Sequence, residues 1–140
     1  MMKGYHRDDE ITAQVIRDGW LYTGDLGRLD EEGYLFLVGR KKEMIITGGL
    51  NVFPSEIEEV ILKHPHVAEA AVFGVPDFMR GETIKAVVVP RSSLPLSRRE
   101  LISHCREHLA DYKLPSEIEF RQELPRTATG KIAKGELMNE

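Results

Sequence analysis

One lysine near the end of the chain is the residue best suited to chemistry on anions. Lys131 ends the segment Thr127-Ala128-Thr129-Gly130-Lys131, whose small and hydroxyl side chains are typical of an exposed turn that faces a ligand. A mobile ammonium group can lie between two anionic groups and reduce the repulsion between them as they react. The glycine-rich run of a phosphate-binding loop does not precede this Gly-Lys pair, so the local alternative is an ordinary surface lysine.

Two further charged residues occupy positions where the chain is expected to turn. Asp25 follows a strand-like segment in Tyr22-Thr23-Gly24-Asp25, and the two oxygens of its carboxylate suit the two hydroxyls of a ribose. Arg40 follows Gly39 and opens the run Arg40-Lys41-Lys42-Glu43. The alternatives are a structural aspartate in a turn and a solvated basic segment.

Backbone that a ligand can approach closely is predicted at Gly48-Gly49, which precede Leu50-Asn51. Paired glycines lack the Cβ that would keep a ligand away. A tight turn between a strand and a helix is the alternative, and one loop can serve both purposes. Arg80, in a loop between two apolar segments, can form a bidentate pair with a phosphate, and Lys113 is a weaker candidate for the same role. The alternative for both is an ordinary surface position.

The histidines and the cysteine predict neither a metal centre nor a nucleophile. His104 and His108 are four residues apart in a helical pattern, a spacing compatible with zinc, but no Asp, Cys or His supplies a clear third ligand. We therefore place both on a helix surface. His64-Pro65-His66 is a turn that stops a helix. The single cysteine, Cys105, is expected to pack as a small apolar side chain.

The elements that position these residues are helices and mostly antiparallel strands. Caps, prolines and apolar residues at helical spacing predict four helices, whereas β-rich runs bounded by turn residues predict the strands. This order of elements indicates an α+β fold. The helices cover 8–17, the segment from Pro54 to the His64-Pro65 stop, the segment capped by Ser97 with Glu100 in a capping box, and the residues from Ala133. The strands cover 20–22, 26–29, 34–38, 44–46, 67–75, 83–89 and 118–120.

Length and composition limit the class of protein. With 140 residues, of which 41% are hydrophobic and 30% charged, the chain is typical of one soluble globular domain. Its formal charge of −4 offers no overall attraction to nucleic acid or to an acidic membrane. No apolar run approaches the ~20 residues that span a bilayer, and no signal-peptide core follows Met1. We expect a cytoplasmic protein without a transmembrane segment or a nucleic-acid partner.

Three motifs in order resemble the C-terminal part of acyl-CoA synthetases in the adenylate-forming (AMP-binding) superfamily. They are Tyr22-Thr23-Gly24-Asp25, the stretch 39–58, and Pro125-Arg126-Thr127-Ala128-Thr129-Gly130-Lys131-Ile132. The resemblance implies that residues 1–39 are the tail of a large N-terminal AMP-binding domain and that residues 40–140 form a small mobile lid. The expected lid has a mostly antiparallel three-stranded sheet packed by helices, and a β-hairpin tail of the large domain precedes it.

The resemblance also implies a role for each candidate residue. Lys131 would be catalytic in the attack of a carboxylate on ATP, Asp25 would bind the ribose, and Arg40 would contact the nucleotide. Lys42, where many relatives have aspartate, would be the hinge. The coenzyme A-binding residues would be Gly48, Gly49, Leu50 and Asn51 around the pantetheine tunnel, with Arg80 and Lys113 near the phosphates. ATP and coenzyme A would be substrates, Mg2+ would accompany ATP in the full-length enzyme, and no metal ligand is assigned.

Within this family the amino-acid sequence of residues 39–45 and 81–86 most resembles that of fatty acyl-CoA synthetases. The expected partners are a carboxylic acid substrate and the large N-terminal domain, which carries the acyl pocket and the family's phosphate-binding loop. Without that domain the chain should be inactive. Gly4-Tyr5 resembles the end of a family segment and suggests that the frame extends upstream of Met1. Two alternatives stay open: the lid of a peptide-synthetase adenylation domain, and a free-standing, non-catalytic binding module.

Overall fold

The computed structural model describes residues 2–91 and 95–139. These residues form two compact units, and the division between them follows Lys42. The predicted domain boundary follows Gly39, so the structural division lies slightly later in the chain. The assignment of the first unit to a larger domain and of the second to a mobile lid stays a prediction.

The first unit begins with a short helix and a small hairpin. Helix α1 (Asp9–Val15) is capped by Asp8, whose Oδ1 accepts a hydrogen bond from the Ile11 amide at 2.9 Å. The helix ends before the predicted residue 17 because Ile16 is extended. Strand β1 (Ile16–Arg17) then pairs with β2 (Trp20–Leu21).

A second hairpin completes this unit and confirms the predicted one. Strands β3 (Asp25–Leu29) and β4 (Leu35–Arg40) are antiparallel. In the turn between them, Asp30 Oδ1 accepts hydrogen bonds from the backbone amides of Glu32 and Tyr34. None of the described residues in this unit is buried, and most of its large apolar side chains, such as Trp20 at 74% exposure, are exposed.

A five-stranded sheet organises the second unit. Its long antiparallel ribbon consists of β7 (Val67–Asp77) and β8 (Gly81–Pro90). The short hairpin of β5 (Ile45–Thr47) and β6 (Leu50–Val52) joins β8 at one end, through the pairing of Thr47 with Gly81. Strand β9 (Glu117–Phe120) runs parallel to β8.

The sheet is mostly antiparallel, as predicted, but it has five strands rather than three. Three-residue strands are too short to show an alternating pattern, which is why the sequence does not reveal β6. Gly48-Gly49 connects β5 to β6. The alternative given for this pair, a turn from a strand into a helix, is therefore wrong, since the chain reverses at the two glycines and the helix follows β6.

Helices cover both faces of the ribbon. Because side chains alternate along a strand, Ala70 and Val72 belong to one apolar core, whereas Ala71 and Phe73 belong to another. Helices α2 (Pro54–Leu62) and α3 (Arg98–Arg106) contribute to the first core, and α4 (Lys134–Leu137) contributes Leu137 to the second. The α+β class is confirmed.

Cys105 lies in α3 and is completely buried, as predicted. Burial raises the pKa of its thiol to about 11, so the thiol stays protonated at neutral pH. Across residues 2–91 and 95–139, the helices are all too short or too polar to cross a membrane.

His64 is a buried histidine just after α2. Its Nδ1 accepts a hydrogen bond from the His66 amide, its Nε2 lies 3.6 Å from the Glu100 carboxylate, and the His104 ring centroid is 5.0 Å away. Burial, followed by the neighbouring His104, lowers the pKa of His64, while Glu100 acts in the opposite direction.

We expect acid to destabilise the second unit through His64. Because the pKa of His64 is lower in the folded state than its ordinary value of 6.5, the unfolded chain binds the proton more tightly. The contribution of neutral His64 to the free energy of unfolding is complete above pH 6.5, the ordinary pKa, and is lost as the pH falls through the folded-state pKa. The free energy of unfolding in urea, measured at neutral pH and at about pH 5, should fall less in His64→Gln than in the wild type. The exposed His6 supplies the control, His6→Gln; equal falls in all three proteins would contradict the assignment.

Candidate functional site

Asp25 and Arg40, the predicted nucleotide contacts, lie opposite each other at one end of the β3–β4 hairpin. Arg40 Nε is 3.3 Å from Asp25 Oδ1, and both side chains are more than one-third exposed. An exposed ion pair contributes little to stability, so a ligand can displace it at low cost. The structure thus brings these two residues together and leaves both accessible.

The loop before Asp25 forms one wall of an open groove. Gly24 has a φ of +77°, and its carbonyl accepts a hydrogen bond from the Lys41 amide at 2.8 Å. Thr23 Oγ1 accepts one from the Asp25 amide. The groove is lined by Arg17, Leu21, Tyr22, Thr23, Gly24, Asp25, Leu26 and Lys41.

Lys42 is exposed and lies in a single 3-10 turn, Lys41–Glu43. It is the last residue of the first compact unit. A hinge needs a few residues that can change backbone angles while the flanking units stay intact. The position of Lys42 satisfies that requirement, and its role as the hinge stays a prediction.

The predicted glycine pair and Arg80 are neighbours. Gly48 and Gly49 have φ values of +57° and +81°, which identify the mirror-image turns that suit a two-residue hairpin. The Gly48 amide donates a hydrogen bond to the Arg80 carbonyl at 2.9 Å. Leu50 and Asn51 follow on β6 and are exposed. Four of the six predicted coenzyme A-binding residues are therefore adjacent in sequence, and Arg80 joins them through tertiary structure.

The loop that carries Arg80 is a tight turn with an apolar tip. Asp77 Oδ1 accepts hydrogen bonds from the amides of Met79 and Arg80 at 3.0 and 2.8 Å. Phe78 and Met79 are almost fully exposed. Arg80 is exposed as well, so its guanidinium is available to an anion from solution.

Lys113 is held by a carboxylate. Its ammonium group donates to both oxygens of Glu56, at 2.6 and 2.7 Å, and its side chain is only 18% exposed. The hydrogen bond to Glu56 raises the pKa of Lys113. A phosphate would have to displace Glu56, so Lys113 is less available to a phosphate than Arg80.

Lys131 lies on an exposed hairpin-like loop. The backbones of Arg126 and Ile132 form an isolated antiparallel β-bridge, and the Thr127 amide donates a hydrogen bond to the Lys131 carbonyl. Gly130, in the turn between them, has a φ of +81°. Within the described part of the chain, no acidic side chain pairs with the Lys131 ammonium group. The lysine side chain is thus exposed to solvent on a loop whose backbone is hydrogen-bonded within itself.

Sequence reasoning missed the contacts that hold these loops. Arg126 pairs with Glu69, and Lys134 pairs with Glu58 at 2.7 Å; no local pattern links residues so far apart in the chain. His104, which was expected on a helix surface, is half-buried because its Nε2 bonds the Val60 carbonyl of α2. The described residues include no group of three or more potential ligands placed to hold a metal ion.

Comparison with known proteins decides the family. The model of the AMP-binding enzyme C-terminal domain matches residues 56–131, which is more than half of the chain. The chain belongs to this family. The predicted membership of the adenylate-forming superfamily is thereby confirmed.

Several curated relatives of this AMP-binding C-terminal domain are named as CoA ligases or CoA synthases. The long-chain-fatty-acid–CoA ligase of Bacillus subtilis is 49% identical over 140 residues, which are 100% of this chain and 25% of the ligase. The feruloyl-CoA synthase of an Amycolatopsis species is 47% identical over 137 residues, 98% of this chain and 28% of the synthase. The chain spans about a quarter of the length of the curated relatives it matches.

A solved structure shows the same fold. The o-succinylbenzoate CoA synthetase of Bacillus subtilis, in complex with its acyl-adenylate intermediate, matches with a TM-score of 0.92 and 41% identity. The match covers 98% of this chain and 28% of that protein. It supports the predicted lid fold at the level of both sequence and structure.

Substitution of Gly49 should destabilise the second unit. A Cβ at Gly49 would have no atom within 4 Å. The backbone φ of +81° at this position, however, would destabilise any residue with a side chain by roughly 1–2 kcal/mol. Urea unfolding of Gly49→Ala should therefore occur at a lower denaturant concentration than in the wild type. Gly135→Ala in α4 also enters open space, without a positive φ, and should be neutral or stabilising. A Gly49→Ala protein as stable as Gly135→Ala would show that the turn is unstrained.

Proposed function

We propose that this chain is the C-terminal part of an ATP-dependent acyl-CoA ligase that activates a carboxylic acid, with fatty acids as the first candidates. Its family and its CoA-ligase relatives support this class of reaction, and the 49% identity to a long-chain-fatty-acid–CoA ligase supports the acid. The acyl pocket would lie in the larger upstream domain. In this proposal the second unit is the lid and the first unit is the tail of that larger domain, whose remaining part would cover the exposed apolar side chains of the first unit.

One observation carries the proposal: the two candidate groups of the second unit lie towards opposite ends of one β-ribbon. The loop of Lys131 is bound to Glu69, near the start of β7, whereas the Gly48–Gly49 turn is bound at Arg80, just beyond its end. Glu69 and Asp77 are eight residues apart in β7, or about 25 Å along an extended strand. With attachment points this far apart, the two groups suit two successive steps better than one shared reaction centre.

In the first step, a carboxylate oxygen of the acid attacks the α-phosphorus of ATP. The bond to the β-phosphate breaks, and acyl-AMP and pyrophosphate form. The ammonium group of Lys131 would lie between the two anions and stabilise the negative charge that develops in the transition state. Asp25 would accept hydrogen bonds from the ribose hydroxyls, and Arg40 would contact the same nucleotide.

Mg2+ would accompany ATP and neutralise its phosphates in the full-length enzyme. The described residues offer no cluster of acidic or histidine ligands for it, and we assign none of them to the metal.

In the second step, the thiol of coenzyme A releases its proton to solvent and its sulfur attacks the acyl carbonyl. A thioester bond forms, the bond between the acyl carbon and the phosphate oxygen breaks, and AMP leaves. The second unit would turn about Lys42, which withdraws Lys131 and brings the glycine turn to the reaction centre. Gly48 and Gly49 have open space where a Cβ would lie, so the pantetheine arm can run close to the backbone. Leu50 and Asn51 would line the same passage, and Arg80, with Lys113 as the weaker candidate, would bind phosphates.

Removal of the Lys131 ammonium group should separate the two steps. In the full-length protein, Lys131→Ala should slow acyl-AMP formation by about two orders of magnitude or more, the effect expected for loss of a preorganised charge. Formation of the thioester from supplied acyl-AMP should stay close to the wild-type rate. Pyrophosphate release and thioester formation, measured separately, test this difference.

Lys63→Ala is the matched control, because Lys63 is also exposed and pairs only with the neighbouring Glu59 among the described residues. Both rates should be unchanged in that variant. Equal losses of both rates in Lys131→Ala would contradict the proposed role.

The 140-residue chain itself should be inactive. Asp25, Arg40 and Lys131 contribute a few hydrogen bonds and ion pairs, each worth about 1–3 kcal/mol, which is too little to hold ATP and acid together. Carboxylate-dependent ATP–pyrophosphate exchange, tested with short to long fatty acids and ferulate, should stay at background while the chain remains folded. Exchange that disappears in Lys131→Ala would contradict the need for an upstream domain.

A further inference from the structure

We propose that Arg126 is a positioning residue that fixes the loop of Lys131 to the sheet through Glu69; the inference rests on the proposed function of Lys131. The loop itself offers no apolar anchor, because residues 126–131 are all exposed. Apolar contacts hold only its two stems, through Leu124 on one side and Ile132 and Leu137 on the other.

Arg126 uses both terminal nitrogens of its guanidinium group. Nη1 donates a hydrogen bond to the Gly130 carbonyl at 2.9 Å, and Nη2 donates to Glu69 Oε2 at 2.7 Å. The residue that immediately precedes Lys131 is therefore tied to β7 through a single side chain. A planar guanidinium holds two acceptors in a fixed relation, which the single ammonium group of a lysine cannot do.

The remaining polar contacts of the loop are internal. The Lys131 amide donates to Thr127 Oγ1 at 3.2 Å, the hydroxyl groups of Thr127 and Thr129 are 3.0 Å apart, and the Gly130 amide donates to the Thr127 carbonyl. These bonds shape the loop, but they do not attach it to the sheet. Among the described residues, the Arg126–Glu69 pair is the polar contact that joins the loop to the sheet.

The contact is more important for geometry than for stability. Both side chains are substantially exposed, at 49% and 34%, and such pairs add little to the free energy of unfolding. A small displacement of the backbone at Gly130, however, moves the Lys131 ammonium group relative to the phosphate. A misplacement of about 1 Å can reduce the rate of a reaction on the order of a hundredfold.

The test uses the full-length protein and measures each half-reaction separately, at saturating ATP and acid. Arg126→Ala should slow acyl-AMP formation on the order of ten- to a hundredfold, with the KM for ATP and the rate of thioester formation from supplied acyl-AMP unchanged. Arg126→Lys keeps the charge but can reach one acceptor at a time, so its loss should be intermediate. Glu69→Gln keeps a neutral hydrogen-bond acceptor, so its rate of acyl-AMP formation should fall least of the three variants.

Glu59→Gln provides the matched control, because it neutralises an exposed carboxylate that pairs with Lys63, the residue that follows α2, instead of with the loop. It should leave both half-reactions unchanged. Amide hydrogen exchange of residues 127–131, measured by mass spectrometry, should accelerate in Arg126→Ala and not in Glu59→Gln. This second measurement is independent of activity.

Three results would overturn the inference. A wild-type rate of acyl-AMP formation in Arg126→Ala, while Lys131→Ala is defective, would reject Arg126 alone and leave the proposed function intact. Equal loss of both half-reactions with a lowered unfolding temperature would show a merely structural role. A wild-type adenylation rate in Lys131→Ala would reject the proposed function and this inference with it.

Discussion

The antiparallel pairing of β7 with β8 is the constraint on which the second unit depends. Ten register pairs between Val67 and Asp77 fix the two strands, and their alternating side chains supply both apolar cores. Burial of each large side chain, such as Val72 or Ile84, contributes roughly 1.5–3 kcal/mol. Because helices pack against both faces, the ribbon cannot slip by one residue without exposing one core and burying polar groups.

A rigid ribbon has a direct consequence for the candidate sites. Groups attached at its two ends keep a nearly constant separation, so in the proposed mechanism they would reach a common reaction centre in turn only if the whole unit moved. Exposed polar contacts then determine the local geometry of each loop: Asp77 shapes the turn of Arg80, and Glu69 holds Arg126. Apolar burial thus supplies the stability, while surface hydrogen bonds and ion pairs shape the loops that carry the candidate side chains.

The first unit depends on local hydrogen bonds instead. Asp8 caps its helix and Asp30 orders its hairpin turn, but none of its described residues is buried. Segments of this size rarely bury enough apolar surface to be stable alone. Exposed side chains such as Trp20 and Leu37 are what an interface with a larger domain would cover. The proposed upstream domain would cover these apolar side chains, and the exposed Asp25–Arg40 pair of the same unit would be available to a nucleotide.

Features that arise from contacts between near neighbours could be predicted from the amino-acid sequence. The cap at Ser97 and the helix begun by Pro54 depend on contacts within a few residues, and both were predicted. The order of the three motifs also predicted the family. Three contacts became known only from the folded structure: the glycine turn with Arg80, Glu56 with Lys113, and Glu69 with Arg126. The last two pairs each join residues 57 positions apart. The packing of the sheet and helices determines which charged residues become partners. The position of an exposed charge in the sequence follows no periodic pattern, so the sequence does not identify its partner.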